Sequence, residues 1–220
     1  MAILMKDKFE ALEKEMQARF DQLKANEEEL NKIFIELYGL EDELDYRVED
    51  KDISVSRANR VRETKSFLSY FIGCLMGRYS LDQEGLAYAG GEWNPDLYHS
   101  FTPTADGIVT FTDEGVLNDE VDTYTRLKEF LTVVYGGETL QENLLWIAEG
   151  LGKKAIESAE SAIRGYFLKD FFKDHLKTYK NRPIYWMIDS GKANGMKSLV
   201  YLHRYAPHTL GLALNNHLKF

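Results

Sequence analysis

The sequence predicts a mostly helical α+β protein: a long N-terminal helix, a helical core and a C-terminal β-hairpin-like element. Three observations predict it. Apolar residues recur at helical spacing from Phe9 to Leu37. A dense apolar run, residues 67–76, sits inside a second helical pattern. Near the C-terminus two β-type runs, 183–188 and 198–203, flank a loop rich in Gly and polar residues. The chain has 220 residues, 44% hydrophobic and 29% charged, which lies in the globular range and excludes disorder over most of its length.

Residues 7–38 are expected to be one helix. Phe9, Leu12, Met16, Phe20 and Leu23, then Leu30, Ile33, Phe34 and Leu37, step mostly by three or four. Charged residues fill the gaps, with pairs such as Glu10 and Lys14 at i,i+4, and Gly39 is a natural stop. So narrow a stripe calls for a partner helix or a neighbouring domain, or else for packing against the chain's own core. Residues 1–40 are accordingly expected to be a docking arm, and 41–220 a mixed α+β domain with a basic C-terminal part. Residues 41–55 are acidic and connector-like, with a short strand expected at 52–55. Residues 56–79 are expected to be a helix, buried from Phe67 to Met76. Punctuated by Gly85, Gly90, Gly91, Pro95 and Pro103, residues 80–106 are loop-rich. A short strand at 107–112 follows. Helices are expected at 119–134, capped by Asn118 or Asp119, and at 139–151. One helix is expected at 158–179, then the hairpin, then a weakly helical tail at 208–220.

Charge is segregated. Residues 164–220 carry ten Lys and Arg against three Asp and Glu, a formal +7 on a chain whose net charge is −9. A basic end suits a polyanion, while an acidic remainder suits solvent or another part of an assembly. Cations and aromatics alternate through 180–205, as a phosphate-binding and stacking surface requires. The same residues also suit a core hairpin with a solvated rim. Cys74 is a lone cysteine in an apolar run, so the chain can form no internal disulfide and nothing points to secretion. With no apolar run approaching the ~18 residues of a membrane span, the expected location is the cytoplasm, with no membrane partner.

Catalytic patterns are missing from the sequence. It contains no G-x-G-x-x-G, no P-loop and no G-x-S-x-G, and Gly150–Lys154 lacks the upstream glycine and the hydroxyl residue a P-loop needs. His203 and His208 are five apart with no Cys or carboxylate beside them, so no metal site is expected.

Several ordered blocks carry a family resemblance. They are FDQLKANEEELN (20–31) with IFIELYGL (33–40), KSFLSYFIGCLMGRYSL (65–81), YFLKDFFKDHLK (166–177) and RPIYWMIDSGKANGMKSLVYLHRY (182–205). Together they resemble the PglX family, adenine-specific DNA methyltransferases of BREX phage-defence systems related to large single-chain restriction-modification methylases. The resemblance runs from Phe9 to Tyr205; the tail beyond departs from it. It implies a segment downstream of the catalytic core that helps engage target DNA, with the methylase core of the parent protein as a further partner. S-adenosylmethionine is then the cofactor expected of the full-length parent, and none is expected in this chain. The family's N-P-P-[YF] loop is not found: Asn94-Pro95-Asp96-Leu97-Tyr98 has Asp96 in place of the second proline and is expected to be an ordinary turn.

No catalytic residue is therefore expected. DNA phosphates are expected to meet Lys177, Lys180, Arg182, Lys192, Lys197, His203 and Arg204, with Tyr185, Trp186 and Tyr201 packing beneath them. Gly191 and Gly195 would let backbone N–H groups approach a phosphate. The alternative is a protein–protein docking module of the same enzyme with no DNA contact.

Overall fold

The computed structural model describes residues 3–113, 122–189, 191 and 197–217, the side chains of 216 and 217 excepted. Its architecture is the predicted mostly helical α+β arrangement, and it divides into two compact units. One is Met5–Glu63; the other takes up the chain from Thr64 onward. Among the described residues no helix is long and apolar enough to cross a membrane.

The first unit is built on α1, Met5–Tyr38. The segment after it returns along the helix and is latched to its polar positions. Lys24 Nζ lies 2.7 Å from Asp50, Arg57 donates to Gln17 at 2.9 Å, and Asn31 donates to the Tyr46 carbonyl at 3.2 Å. Arg57 also covers the buried Phe20 ring, 3.8 Å from its centroid. The strand expected at 52–55 is not formed. Asp50 is held by both Lys24 and Arg57, and its backbone closes into a 3-10 turn at Asp50–Asp52 instead. Latches run as far as Asn31; beyond them Ile33, Phe34, Leu37 and Tyr38 are exposed, Leu37 and Tyr38 at 70%.

Helix α2, Arg60–Leu75, is shorter than expected at both ends. Asn59 caps it by accepting from the Arg62 N–H at 3.0 Å. It stops because Gly77 turns left-handed at φ 80, which lets the Arg78 N–H bond back to the Gly73 carbonyl at 2.8 Å. Gly is required there twice over, since a Cβ would also fall 2.5 Å from the Trp93 ring. Burial pushes the Cys74 thiol up to about 12, so it is an inert core group. The loop-rich region is organised by Asp82, which accepts from the His99 and Ser100 N–H groups at 2.7 and 2.9 Å. Residues Pro95–Leu97 make a 3-10 turn whose cap is the Asn94 side chain, accepting from Asp96 N–H at 3.0 Å.

After β1, Ile108–Phe111, come α3, Thr123–Tyr135, and α4, Leu140–Gly150. The expected caps Asn118 and Asp119 lie outside the described residues; the cap of α3 is Asp122, which accepts from the Thr125 N–H at 3.0 Å. The single helix expected at 158–179 is two: α5, Ala159–Lys169, capped by Ser158, and α6, Phe171–Thr178. Asp170, at φ −124, breaks them. The break brings Phe167 and Phe171 onto Phe111 together, at 5.0 and 5.7 Å between ring centroids, and this aromatic packing outweighs one continuous helix.

The hairpin strands are β2, Tyr185–Asp189, and β3, Lys197–Tyr201, but they belong to a three-stranded antiparallel sheet ordered β1-β3-β2. Ile108 pairs with Val200, and Tyr185 with Tyr201. Strand alternation puts Phe111, Tyr185 and Tyr201 on the face toward the helices. Ile108, Val200 and Ile188 form the other face, which packs with Leu212 and Ala213 of the tail. That tail is α7, Thr209–Leu212, running into a π turn, Ala213–His217.

Candidate nucleic-acid interface

The basic cluster is set by how α6 ends. Leu176 accepts from the Asn181 N–H at 2.8 Å, and Lys177 from the Lys180 N–H at 3.3 Å. This needs two left-handed residues in succession, Lys180 at φ 50 and Asn181 at φ 61. Asn tolerates that conformation, whereas Lys does so at a cost on the order of 1–2 kcal/mol. Lys177, Lys180 and Arg182 all reach solvent from this turn. A cavity of about 490 Å³ is lined by Thr178, Tyr179, Lys180 and Arg182. Lys177 and Lys180 also complement the negative end of the α6 dipole.

Beneath the turn lies His175, 4% exposed. Its Nε2 accepts from the Ile184 N–H at 3.2 Å, and its ring stacks on Tyr185 and abuts Tyr179. Burial, with the Arg78 charge second, lowers its pKa to about 4. The imidazole is therefore neutral at pH 7 and ties α6 to the start of β2.

The remaining predicted cations are placed differently. Lys197 pairs with Asp189 at 3.3 Å across the hairpin mouth, where Asp189 also accepts from the Gly191 N–H at 2.8 Å. Lys192 and Gly195 lie outside the described residues. His203 is exposed next to Tyr201, with ring centroids 5.4 Å apart. Arg204 turns inward: it donates to the carbonyls of Thr104, Ala105 and Met76 at 2.7, 2.6 and 3.3 Å, and covers the Trp93 ring at 4.1 Å. Its burial lowers its pKa, but a guanidinium stays charged. Of the aromatics, Tyr185 and Tyr201 are core residues, while Trp186 is 53% exposed and meets Tyr205 edge-to-face at 6.0 Å.

One residue escaped the reading of the sequence. Arg78 lies within the block 65–81, just after Gly77 at the end of α2. It donates to the hydroxyls of Tyr201 at 3.2 Å and Tyr79 at 3.4 Å. The signal was a lone cation closing a long apolar run.

No family model matches the sequence. The sequence is shared with much longer proteins. Over 211 residues the chain is 54% identical to the adenine-specific methyltransferase PglX of Lacticaseibacillus casei (strain Zhang), a match covering 96% of this chain and 18% of that protein. Over 218 residues it is 40% identical to the adenine-specific methyltransferase BrxX of Escherichia coli O9:H4 (strain HS), covering 87% of this chain and 18% of that protein. The chain is thus PglX-like along nearly its whole length, corresponding to one segment of such a methyltransferase. It spans 18% of the length of these relatives.

Proposed function

We propose that the chain is a non-catalytic, DNA-engaging segment of an adenine-specific N6 DNA methyltransferase of a BREX phage-defence system. The observation that carries this reading is the trio Lys177, Lys180 and Arg182. They are exposed around the left-handed turn that ends α6, and among the described residues none forms an ion pair. Such cations serve phosphates without reading bases, and so position DNA rather than specify sequence. His203 is a further exposed cation-capable group after β3, and Trp186 and Tyr205 are exposed rings available for stacking. Lys197 contributes by exchanging Asp189 for a phosphate, and Arg204 by bracing the loop beneath. Methyl transfer belongs to the parent's catalytic core, where S-adenosylmethionine would bind; the sequence here lacks the motifs for it.

The test measures binding of the chain to duplex DNA at low salt, with methyl transfer from S-adenosylmethionine followed in parallel. Binding without methylation is expected. Methylation by the chain alone would overturn the non-catalytic reading, and no binding at low salt would overturn DNA contact.

A second reading rests on the apolar end of α1. Phe34, Leu37 and Tyr38 are exposed, and Phe34 and Tyr38 line a groove of about 360 Å³ with Ile35, Leu40 and Leu44. An apolar face of this kind suits docking on the parent's methylase core. In that case Leu37→Asp weakens association with a separately expressed core and leaves DNA affinity unchanged.

A further inference from the structure

Arg78 differs from the other arginines packed into its unit. Arg164 meets Asp122 and Glu160, Arg126 meets Glu129, and Arg204 meets three carbonyls. Arg78 is half-buried, and its side-chain hydrogen bonds go to two neutral phenols, at 3.2 and 3.4 Å. Charge-assisted bonds to a true counter-ion run to about 2.7–2.9 Å. Among the described residues this guanidinium meets no carboxylate, and the phenol oxygens outweigh the cost of its burial and keep it a cation, free to take an anion as a further partner.

The surroundings favour an oxyanion. The Tyr201 hydroxyl donates its own proton to the Tyr88 carbonyl at 2.7 Å, which leaves it an acceptor toward Arg78. The Tyr179 ring packs on His175, 4.7 Å between centroids, and the Arg78 charge acts on that same His175. Tyr179 also lines the cavity that Lys180 and Arg182 share, so it joins the inner cation to the outer two. His175 beneath is neutral, and its Nε2 is taken by the Ile184 N–H. A planar guanidinium fork plus phenol donors, with two further cations on the rim, matches a group bearing several acceptor oxygens.

We infer that Arg78, with Tyr79 and Tyr179, forms an oxyanion site whose ligand is a backbone phosphodiester of DNA, with Lys180 and Arg182 on its rim. The source of the phosphate rests on the DNA reading above; the oxyanion chemistry rests on the environment of Arg78. This phosphate is held in a fixed place, whereas the exposed cations provide diffuse attraction.

The test uses the whole chain, two probes and two variants. Inorganic phosphate is compared with chloride at matched ionic strength by thermal melting, and a short DNA duplex is titrated across salt. Phosphate is expected to raise the melting midpoint of the wild type but not of Arg78→Gln. The same variant is expected to bind duplex about tenfold more weakly, with a salt slope shallower by about 0.9. Tyr179→Phe keeps the ring and is expected to lose part of both effects. If Arg78→Gln behaves as wild type in both arms while Lys180→Ala weakens DNA binding, the Arg78 site is rejected and the DNA surface stands. If phosphate protects the wild type and duplex does not bind, the oxyanion site stands and DNA is rejected as its source. Should Arg78→Gln fail to fold, Tyr179→Phe decides: unchanged phosphate protection and unchanged duplex affinity overturn the site.

Discussion

Asp122 accepts both arms of the Arg164 guanidinium inside the protein, at 2.7 and 2.8 Å. The pair joins the cap of α3 to the middle of α5, and Arg164 adds a bond to Thr112 Oγ1 at 3.3 Å just past β1. Three elements that bracket the sheet thus meet at one carboxylate. Burial by itself would raise the Asp122 pKa, but hydrogen bonds from Arg164 and Thr125 bring it below the usual range.

Removing one member should therefore be far worse than removing both. Asp122→Ala is expected to destabilise by about 3–5 kcal/mol, because the Arg164 charge is left buried without its partner. The double variant Asp122→Ala with Arg164→Met should recover a large part of that loss. Denaturant unfolding of the wild type, both single variants and the double variant measures it.

His175 gives a pH signature. Its folded pKa, about 4, lies below the unfolded value of 6.5. Between those values the unfolded chain binds the extra proton, so stability falls as pH drops from about 6.5 toward 4 and levels off below. The loss from this group is expected to be up to about 3 kcal/mol. His175→Phe should be less stable at pH 7 and show a shallower decline through that window. Urea midpoints at half-unit pH steps provide the comparison.

Arg204 separates fold from DNA contact. Its three carbonyl acceptors and the Trp93 ring identify it as a brace for residues 76–105. Arg204→Ala is expected to cost about 2 kcal/mol or more by stranding those carbonyls. Arg204→Lys, which cannot span three acceptors with a planar fork, should recover little. Neither change should alter the salt dependence of DNA binding in the protein that remains folded.

Local patterning revealed the helices of this chain and hid its joints. The period of α1, the apolar run of α2 and the Ser158 cap of α5 were legible because each is a neighbour effect along the chain. The break at Asp170 was not, because it answers to Phe111, a strand residue distant in sequence. The placement of β1 beside β3 was invisible for the same reason: Ile108 pairs with Val200, far along the chain. The cationic run from Lys177 to Arg204 could be read as composition. Which of its members are committed inside the fold could not, since Arg204 has carbonyl partners about a hundred residues earlier in the chain and Lys197 has Asp189 across the sheet. Arg78 was hidden in plain view, in a block recognisable for its apolar residues.

The most direct test of the account is the salt slope of duplex binding for the wild type against the triple variant Lys177→Ala, Lys180→Ala, Arg182→Ala. The account predicts binding that weakens steeply with salt, and a triple variant that melts as the wild type does but has a slope shallower by about 2–3 units. Equal slopes and equal affinities in the two proteins would contradict it.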